Sequence, residues 1–465
     1  MNATSPLHVI IMAAGKGTRM KSRRPKVLHP LAGKALLRHV LDTMQGLGAG
    51  AEATLVITGH EAGEVEAAVG PDARCVRQSP QLGTGHAVQQ AVPHLPDDGV
   101  TLILNGDVPL TRLETAQALI QACAGQHLAL LTISLDDATG YGRIVRDALG
   151  GIRAIVEHKD ATPEQRHIRE VYTGMMAAPT AWLKQAVMAL GNDNAQGEFY
   201  LTDIVATAVA QGVAVRSAHP AEAVEVLGVN SPLQLAELER LFQRQQALAL
   251  MEAGVRLADP ARIDVRGTLS CGQDVSIDIG CVFEGRVVLG DNVRIDAHCV
   301  LADCEIASGT HVSAFCHIDG ARVGADALIG PYARLRPGAD LAADVRVGNF
   351  VEIKNSRLAR GAKANHLAYL GDATVGERVN FGAGSITANY DGVNKHPTVI
   401  EDDVLVGSNC VLIAPVRLGA GATIGGGSII SKDAPPGQLS IARTRQVSLS
   451  HWHRPVKKPK TDAAG

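Results

Sequence analysis

The stretch "ALIGPYARLRPGADLAADVRVGNFVEIK", Ala327 to Lys354, carries an aliphatic residue at every sixth position: Ile329, Leu335, Leu341, Val347 and Ile353. Carried back to Ile263, the same frame reads I, L, V, C, V, V, C, E, H, H, V, I, L, L, V, I, of which thirteen of sixteen are hydrophobic. The chain's 46% hydrophobic content would supply about seven by chance. A strand has period two and a helix period 3.6, so a period of six is neither. It fits short strands coiled into a narrow prism, with one aliphatic side chain per hexapeptide pointing inward and small residues at the corners. Glycine follows the periodic residue at Val323-Gly324, Ile329-Gly330, Val347-Gly348, Val406-Gly407 and Leu418-Gly419. The 3% aromatic content suits a prism too thin for large rings. His311 and His317 fall on the frame and are expected to face inward or mark an irregular coil, rather than bind metal.

The frame slips before Val375 and Phe381, and again before Ile400, Val406, Leu412, Leu418, Ile424 and Ile430. The slips cover "KNSRLARGAKANHLAYLGD" (354–372) and "TANYDGVNKHP" (387–397). Polar loops that interrupt a solenoid are common sites of function.

The first half is written differently. "LHVIIMAA", "ATLVITG", "GVTLILNGD" and "HLALLTISL" read as strands, with "GKALLRHVLDTMQGL" and "GHAVQQAVPHL" as helices between them. That alternation predicts a mainly parallel α/β sheet covered on both faces. Ligands collect beyond the carboxyl ends of such strands, where Gly15–Arg19 and Asp107 would lie. "SPLQLAELERLFQRQQALALMEAG" (231–254) reads as one helix with Leu238, Leu241, Phe242 and Leu248 as its apolar stripe. The expected organisation is a domain over 1–230, a helical linker over 231–254, and the prism over 255–465 with a basic tail, "HWHRPVKKPK".

Composition narrows the function. A net charge of −3 over 465 residues gives no reason to expect nucleic acid or an anionic membrane as partner. No basic, then apolar, N-terminal segment is present, nor an apolar run near ~18 residues. The eight cysteines form no C-x-x-C pair, so a reducing cytoplasm is the expected location.

"IIMAAGKGTRMKSRRPK" (Ile10–Lys26) runs from a strand into glycines and then basic residues. Gly15 and Gly17 let backbone N–H groups approach phosphate oxygens, and Arg19 and Lys26 offset a triphosphate's charge. The spacing is not that of a Walker A loop, and alone it reads equally well as a glycine turn with solvated cations. Asp107, after a strand, is either a turn residue or a Mg²⁺ ligand.

Further on come "QSPQLGTGHA", "YGRIVR", "IVEHKDA", "NAQGEFYLTD" and "LGVNSPLQL". In this order and spacing the chain closely resembles the sugar-1-phosphate nucleotidyltransferases, and within them the bifunctional N-acetylglucosamine-1-phosphate uridyltransferase/glucosamine-1-phosphate N-acetyltransferase family. The resemblance runs from about His8 to the tail. It implies a Rossmann-like nucleotidyltransferase domain followed by a left-handed parallel β-helix. It implies that Ala14, Gly15, Arg19 and Lys26 handle UTP, that Gln78, Gly83 and Thr84 read the uracil, and that Asp107 and Asn230 hold Mg²⁺. Gly142 and Glu157 would contact the sugar phosphate. Tyr172 stands where the family usually has Asn; a phenol cannot copy an amide's donor–acceptor pair, so altered affinity is expected at that contact.

In the repeat half the resemblance implies His366 as the base that takes a proton from the amine of glucosamine-1-phosphate, with catalysis in the first half resting on Arg19 and Lys26. Arg336 and Lys354 would hold the phosphate, and Tyr369 and Asn380 the hydroxyls. Ala383, Asn389, Tyr390, Ser408, Gly426 and Arg443 would hold acetyl-CoA. Backbone N–H groups around Gly382–Gly384 are candidate oxyanion donors. The resemblance further implies a homotrimer with acetyl-transfer sites between neighbouring prisms, and a product, UDP-N-acetylglucosamine, that supplies peptidoglycan and lipopolysaccharide. Two other readings stay open: a single-activity nucleotidyltransferase whose prism only assembles subunits, and a non-catalytic binder of sugar nucleotides.

Overall fold

A computed structural model describes residues 6–194 and 196–457. Lys458 and Lys460 of the basic tail lie outside the described residues. The chain folds as two compact units: one runs to Glu252 and takes in Ile263–Gly267, and the other comprises Ala253–Arg262 and the chain from Thr268.

In the first unit Leu7–Met12 is an inner strand, flanked in parallel by Val100–Asn105 and Thr54–Thr58. Alternate side chains face opposite layers: Val9 and Ile11 join one buried cluster, and Ile10 joins the other. Both faces being apolar explains the unbroken hydrophobic text of these strands. Glu170–Pro179 breaks the parallel pattern, running antiparallel between Val100–Asn105 and Leu128–Ser134. It also pairs with Gly142–Arg146, which in turn pairs with Ile152–Val156. Because Met12 lies opposite Asn105, the loops that follow the two strands start side by side.

The helix Pro232–Glu252 packs as part of this unit. Its buried side is Leu238, Gln243 and Ala247, while Leu241 and Leu248 are exposed, so the predicted stripe is only partly right. Gln243 accounts for the difference: its amide donates to Val265 O (2.9 Å) and accepts from Val265 N (2.7 Å), turning that polar residue inward.

The second unit is a parallel β-helix of two- to four-residue strands, apart from the nine-residue strands Ile263–Cys271 and Cys281–Leu289. Arg294 pairs with His311, seventeen positions on, and His311 with Leu328, seventeen again, whereas Leu328 to Arg346 takes eighteen. The shortened coils lose a residue at one corner, where Asp303, Asn355 and Asp372 adopt positive φ. That loss corrects the simple period. Each hexapeptide turns two residues inward, such as Cys299 with Leu301 and Ala333 with Leu335. The sixfold frame follows the first of each pair up to Cys299 and the second from Val323. Between them Glu305, His311 and His317 sit one place before the buried Ile306, Val312 and Ile318. The two histidines therefore face outward. His311 pairs with Asp296 (2.7 Å), and no group of three or more His, Cys, Asp or Glu that could hold a metal occurs among the described residues. Cys281, Cys299, Cys316 and Cys410 fill inner positions as small apolar groups.

The glycines after the periodic residues mark close approach between coils. A methyl on Gly348 would lie 1.9 Å from the Asn365 carbonyl oxygen of the next coil, and one on Gly324 would lie 2.4 Å from Ala342. On Gly426 the nearest atom, Ser408 O, is 3.4 Å away. Gly348→Ala is therefore expected to destabilise the prism by about 1–3 kcal/mol. Gly426→Ala should stay within about 0.5 kcal/mol of wild type. Denaturant unfolding followed by circular dichroism separates the two.

Candidate functional sites

A cavity of about 520 Å³ opens where the first unit's parallel strands end. Ala14, Gly15, Lys26, Gln78, Gly83, Thr84 and Asp107 all line it. Arg19 does not; it is exposed on the single 3₁₀ turn Thr18–Met20. Gly17 has φ 57°, and a methyl there would lie 2.7 Å from the Lys26 Cβ, so the loop closes directly onto the lysine stem.

Lys26 is the hub of the site. Its ammonium forms a close ion pair with Asp107 and donates to Asn230 Oδ1 at 3.0 Å. Residues 81 and 204 positions away in sequence are thereby brought together. The bond from Val229 N to Asp107 O (3.0 Å) and that from Asn230 N to Gln234 Oε1 (2.8 Å) fix the approach of the second segment. A carboxylate and an amide oxygen converging on one positive charge form a donor set that also suits a hard divalent cation such as Mg²⁺.

Gln78 is buried, and its amide nitrogen donates to Gly83 O (2.9 Å) and His86 Nδ1 (3.1 Å). With its N–H groups spent inside the protein, only its carbonyl is left for a base. Gln81, from the same loop, also lines the cavity and was not singled out from the sequence. Asn105 lines it as well, with its amide nitrogen packed over Gly174.

Gly142 and Tyr172, on paired strands, and Glu157, just past the end of the strand Ile152–Val156, form a row. Tyr172 pairs with Gly142, and Glu157 Oε1 lies 3.7 Å from where a Gly142 methyl would be. Burial pushes the Glu157 carboxyl up, while a bond from Thr202 (3.2 Å) opposes that shift. The Tyr172 hydroxyl is buried with no protein partner. Leu201, next to Thr202, donates its N–H to Thr84 Oγ1 (3.1 Å), which joins the row to the cavity wall.

The prism carries two groups on opposite edges of one face. His366 stands on one edge. Its Nδ1 donates to Asn349 Oδ1 (2.9 Å), which leaves Nε2 as the proton acceptor. Asn349 lies one coil below, in register with His366, and the sequence reading missed it; the seventeen-residue coil length was the available signal. Ala383, Ser408 and Gly426 continue that edge, linked by the bonds from Gly384 N to His366 O (3.2 Å), from Asn409 N to Ala383 O (2.7 Å) and from Gly427 N to Ser408 O (2.8 Å). Arg443 donates to Gly426 O (2.6 Å). The Gly384 N–H is thus already committed, so it is not a free oxyanion donor.

On the other edge Arg336 and Lys354 stack in register. Lys395, also missed from the sequence, stands beside them. Its ammonium, and then the Arg336 charge, pushes the Lys354 ammonium's pKa down. Three cations are thus crowded together, with Arg336 also donating to Glu352 Oε1 (2.7 Å). Tyr369 lies on the face between the edges, with its hydroxyl and the Asn389 amide both over Gly371. Asn389 bonds Asp372, and Tyr390 is exposed with its hydroxyl on Gly392 O (2.5 Å). Asn380 lies on the adjoining face, beyond the His366 edge, so one chain does not bring it to Tyr369.

The description MobA-like NTP transferase domain matches residues 9–253, GMPPB C-terminal domain matches 265–357, and six bacterial transferase hexapeptides match 397–432. The molecule is thus a nucleotidyltransferase unit joined to a hexapeptide-repeat prism. It is 69% identical over 460 residues to the bifunctional protein GlmU of Methylibium petroleiphilum, covering 97% of this chain and 100% of that relative. Those of Paracidovorax citrulli and Ralstonia nicotianae are 64% and 57% identical, each over 98% of this chain and 100% of the relative. The chain belongs to the bifunctional GlmU family.

Gly17→Ala is expected to weaken nucleotide binding about tenfold, since a left-handed alanine costs about 1–2 kcal/mol and its methyl displaces Lys26. Calorimetric titration with UTP measures it.

Proposed function

We propose that the chain makes UDP-N-acetylglucosamine by two successive transfers, one in each unit. What carries this reading is the presence in one chain of two separate sets of reacting groups: the Lys26–Asp107–Asn230 cluster in a glycine-walled cavity, and His366 with Nε2 available as a base.

In the prism, the amine of glucosamine-1-phosphate attacks the thioester carbon of acetyl-CoA. The N–C bond forms, the C–S bond breaks, and the amine's proton passes to His366 Nε2 and on to the departing thiolate. Arg336, Lys354 and Lys395 hold the phosphate, Tyr369 and Asn380 the hydroxyls. Ala383, Asn389, Tyr390, Ser408, Gly426 and Arg443 hold the coenzyme. In the first unit, the phosphate of N-acetylglucosamine-1-phosphate attacks the α-phosphorus of UTP and pyrophosphate leaves. Ala14, Gly15, Arg19 and Lys26 position the triphosphate, Gln78, Gly83 and Thr84 the base, and Gly142, Glu157 and Tyr172 the sugar. Asp107 and Asn230 are the groups that would hold Mg²⁺, which when bound neutralises triphosphate charge. Among the described residues no helix is long and apolar enough to cross a membrane.

We further propose a homotrimer of parallel prisms. The phosphate-binding and His366 edges lie a strand apart, about 10 Å, and Asn380 lies around the corner, so a neighbouring prism is needed to close one site. The edge leading to His366 is built for cover. There His298, Phe315, Tyr332 and Phe350 stack in sequence, with ring centroids 5.2, 4.9 and 5.3 Å apart. Phe315, Tyr332 and Phe350 are 48–56% exposed and hold positive φ. From Ala297 to Cys299, Ala314 to Cys316, Pro331 to Ala333 and Asn349 to Val351 this edge has no Asp, Glu, Lys or Arg, whereas another edge carries Asp344, Arg360, Arg378 and Asp403 in ion pairs. An aromatic, charge-free strip matches a surface of the same kind, such as the same edge of another copy provides.

Incubation with glucosamine-1-phosphate, acetyl-CoA, UTP and Mg²⁺, with thiol and pyrophosphate followed separately, tests the reading. His366→Ala should abolish thiol release yet leave pyrophosphate release normal when N-acetylglucosamine-1-phosphate is supplied. Asp107→Ala should do the reverse, and joint loss in either variant would overturn the division of labour. Phe350→Lys should yield monomers by light scattering that keep uridyl transfer and lose acetyl transfer; a trimer with normal acetyl transfer rejects the aromatic edge.

A further inference from the structure

We propose that Lys26 is a built-in counterion that competes with the divalent cation: without nucleotide its ammonium holds the position between Asp107 and Asn230, and triphosphate and metal enter together by drawing it off. This rests on the reading of Asp107 and Asn230 as the groups that hold the metal.

The geometry makes the two occupants exclusive. Lys26 Nζ is paired with Asp107 and lies 3.0 Å from Asn230 Oδ1, and the Lys26 and Asp107 side chains keep only 15% and 17% of their exposure. A divalent ion bonded to the same oxygens at about 2.1 Å would stand within a few ångströms of the ammonium, where like charges repel strongly. Neither group is expendable when the cavity holds no ligand, because an unpaired, largely buried carboxylate is costly. The exchange needs only a side-chain swing. The lysine stem is held at Cβ by the left-handed turn at Gly17, while four methylenes beyond it carry the ammonium. Gly15 and Lys26 line the same cavity, so phosphate oxygens bound at the glycine loop lie within the ammonium's sweep. Each ligand then removes the obstacle to the other, which is positive coupling between nucleotide and metal.

The probe is Mn²⁺ alone, titrated into the full-length enzyme without nucleotide and read by the electron paramagnetic resonance of the free ion. Lys26→Met should bind Mn²⁺ about tenfold or more tighter than wild type, because the competing ammonium is gone. Lys26→Gln serves as a second variant should the first be unstable. Lys16→Met is the control. It removes the same charge from the same cavity lining and should change the affinity by less than about threefold. Equal affinity in wild type and the Lys26 variants would overturn the proposal, as would a Lys16 effect as large as that of Lys26, which would reduce it to a field effect. Retention of Mn²⁺ binding by Asp107→Ala would instead overturn the metal reading itself.

Discussion

In-register parallel pairing runs through both units, and the chemistry sits where that pairing lines up strand ends or corners. In the first unit Met12 opposite Asn105 starts the glycine loop and the Asp107 turn at the same level. In the second, Asn349 opposite His366, and Lys354 opposite Gly371, turn single residues into columns along the prism edges. Antiparallel hairpins would scatter these positions between opposite ends of the strands. With parallel strands every repeat presents the same corner at the same edge, so a site is assembled by stacking.

The stacking has a cost, and it is borne at the edges. Each corner needs a left-handed residue, which Gly, Asn and Asp supply cheaply. On the His366 edge the same conformation falls to His298, Phe315, Tyr332, Phe350 and Leu367. Bulky exposed residues in that conformation are unfavourable in an isolated prism, and burial against a neighbour would offset both strain and exposure. In the first unit the comparable liability is polar. Tyr172 buries a hydroxyl with no partner, in a row with Gly142 and Glu157, and Lys26 neutralises Asp107. Both are arrangements that a ligand with complementary groups would relieve.

Much of the fold was legible because it is periodic. The unbroken apolar strands of the first half and the sixfold recurrence of the second are local properties of the text, and glycine after Val347 or Ile329 marks a real contact between coils. What misled was treating the six-residue period as uniform. A coil one residue short moves the frame by one place, and His311 and His317 passed from interior to surface. The helix stripe failed differently: Leu241 and Leu248 suit an apolar face, but Gln243 took an inward place through two bonds to Val265, which no periodicity reports.

The sequence by itself determined the two architectures, the glycine loop, and the residue types of both sites, because backbone periodicity and motif spacing are written along the chain. Only the tertiary structure decided which groups meet. Lys26 reaches Asp107 and Asn230 across 81 and 204 positions, Lys395 joins Lys354 from an inserted loop, and Asn349 sets the proton-accepting nitrogen of His366. Those contacts follow from coil length, strand register and loop closure. All three are sums over many residues, so no short stretch of sequence contains them.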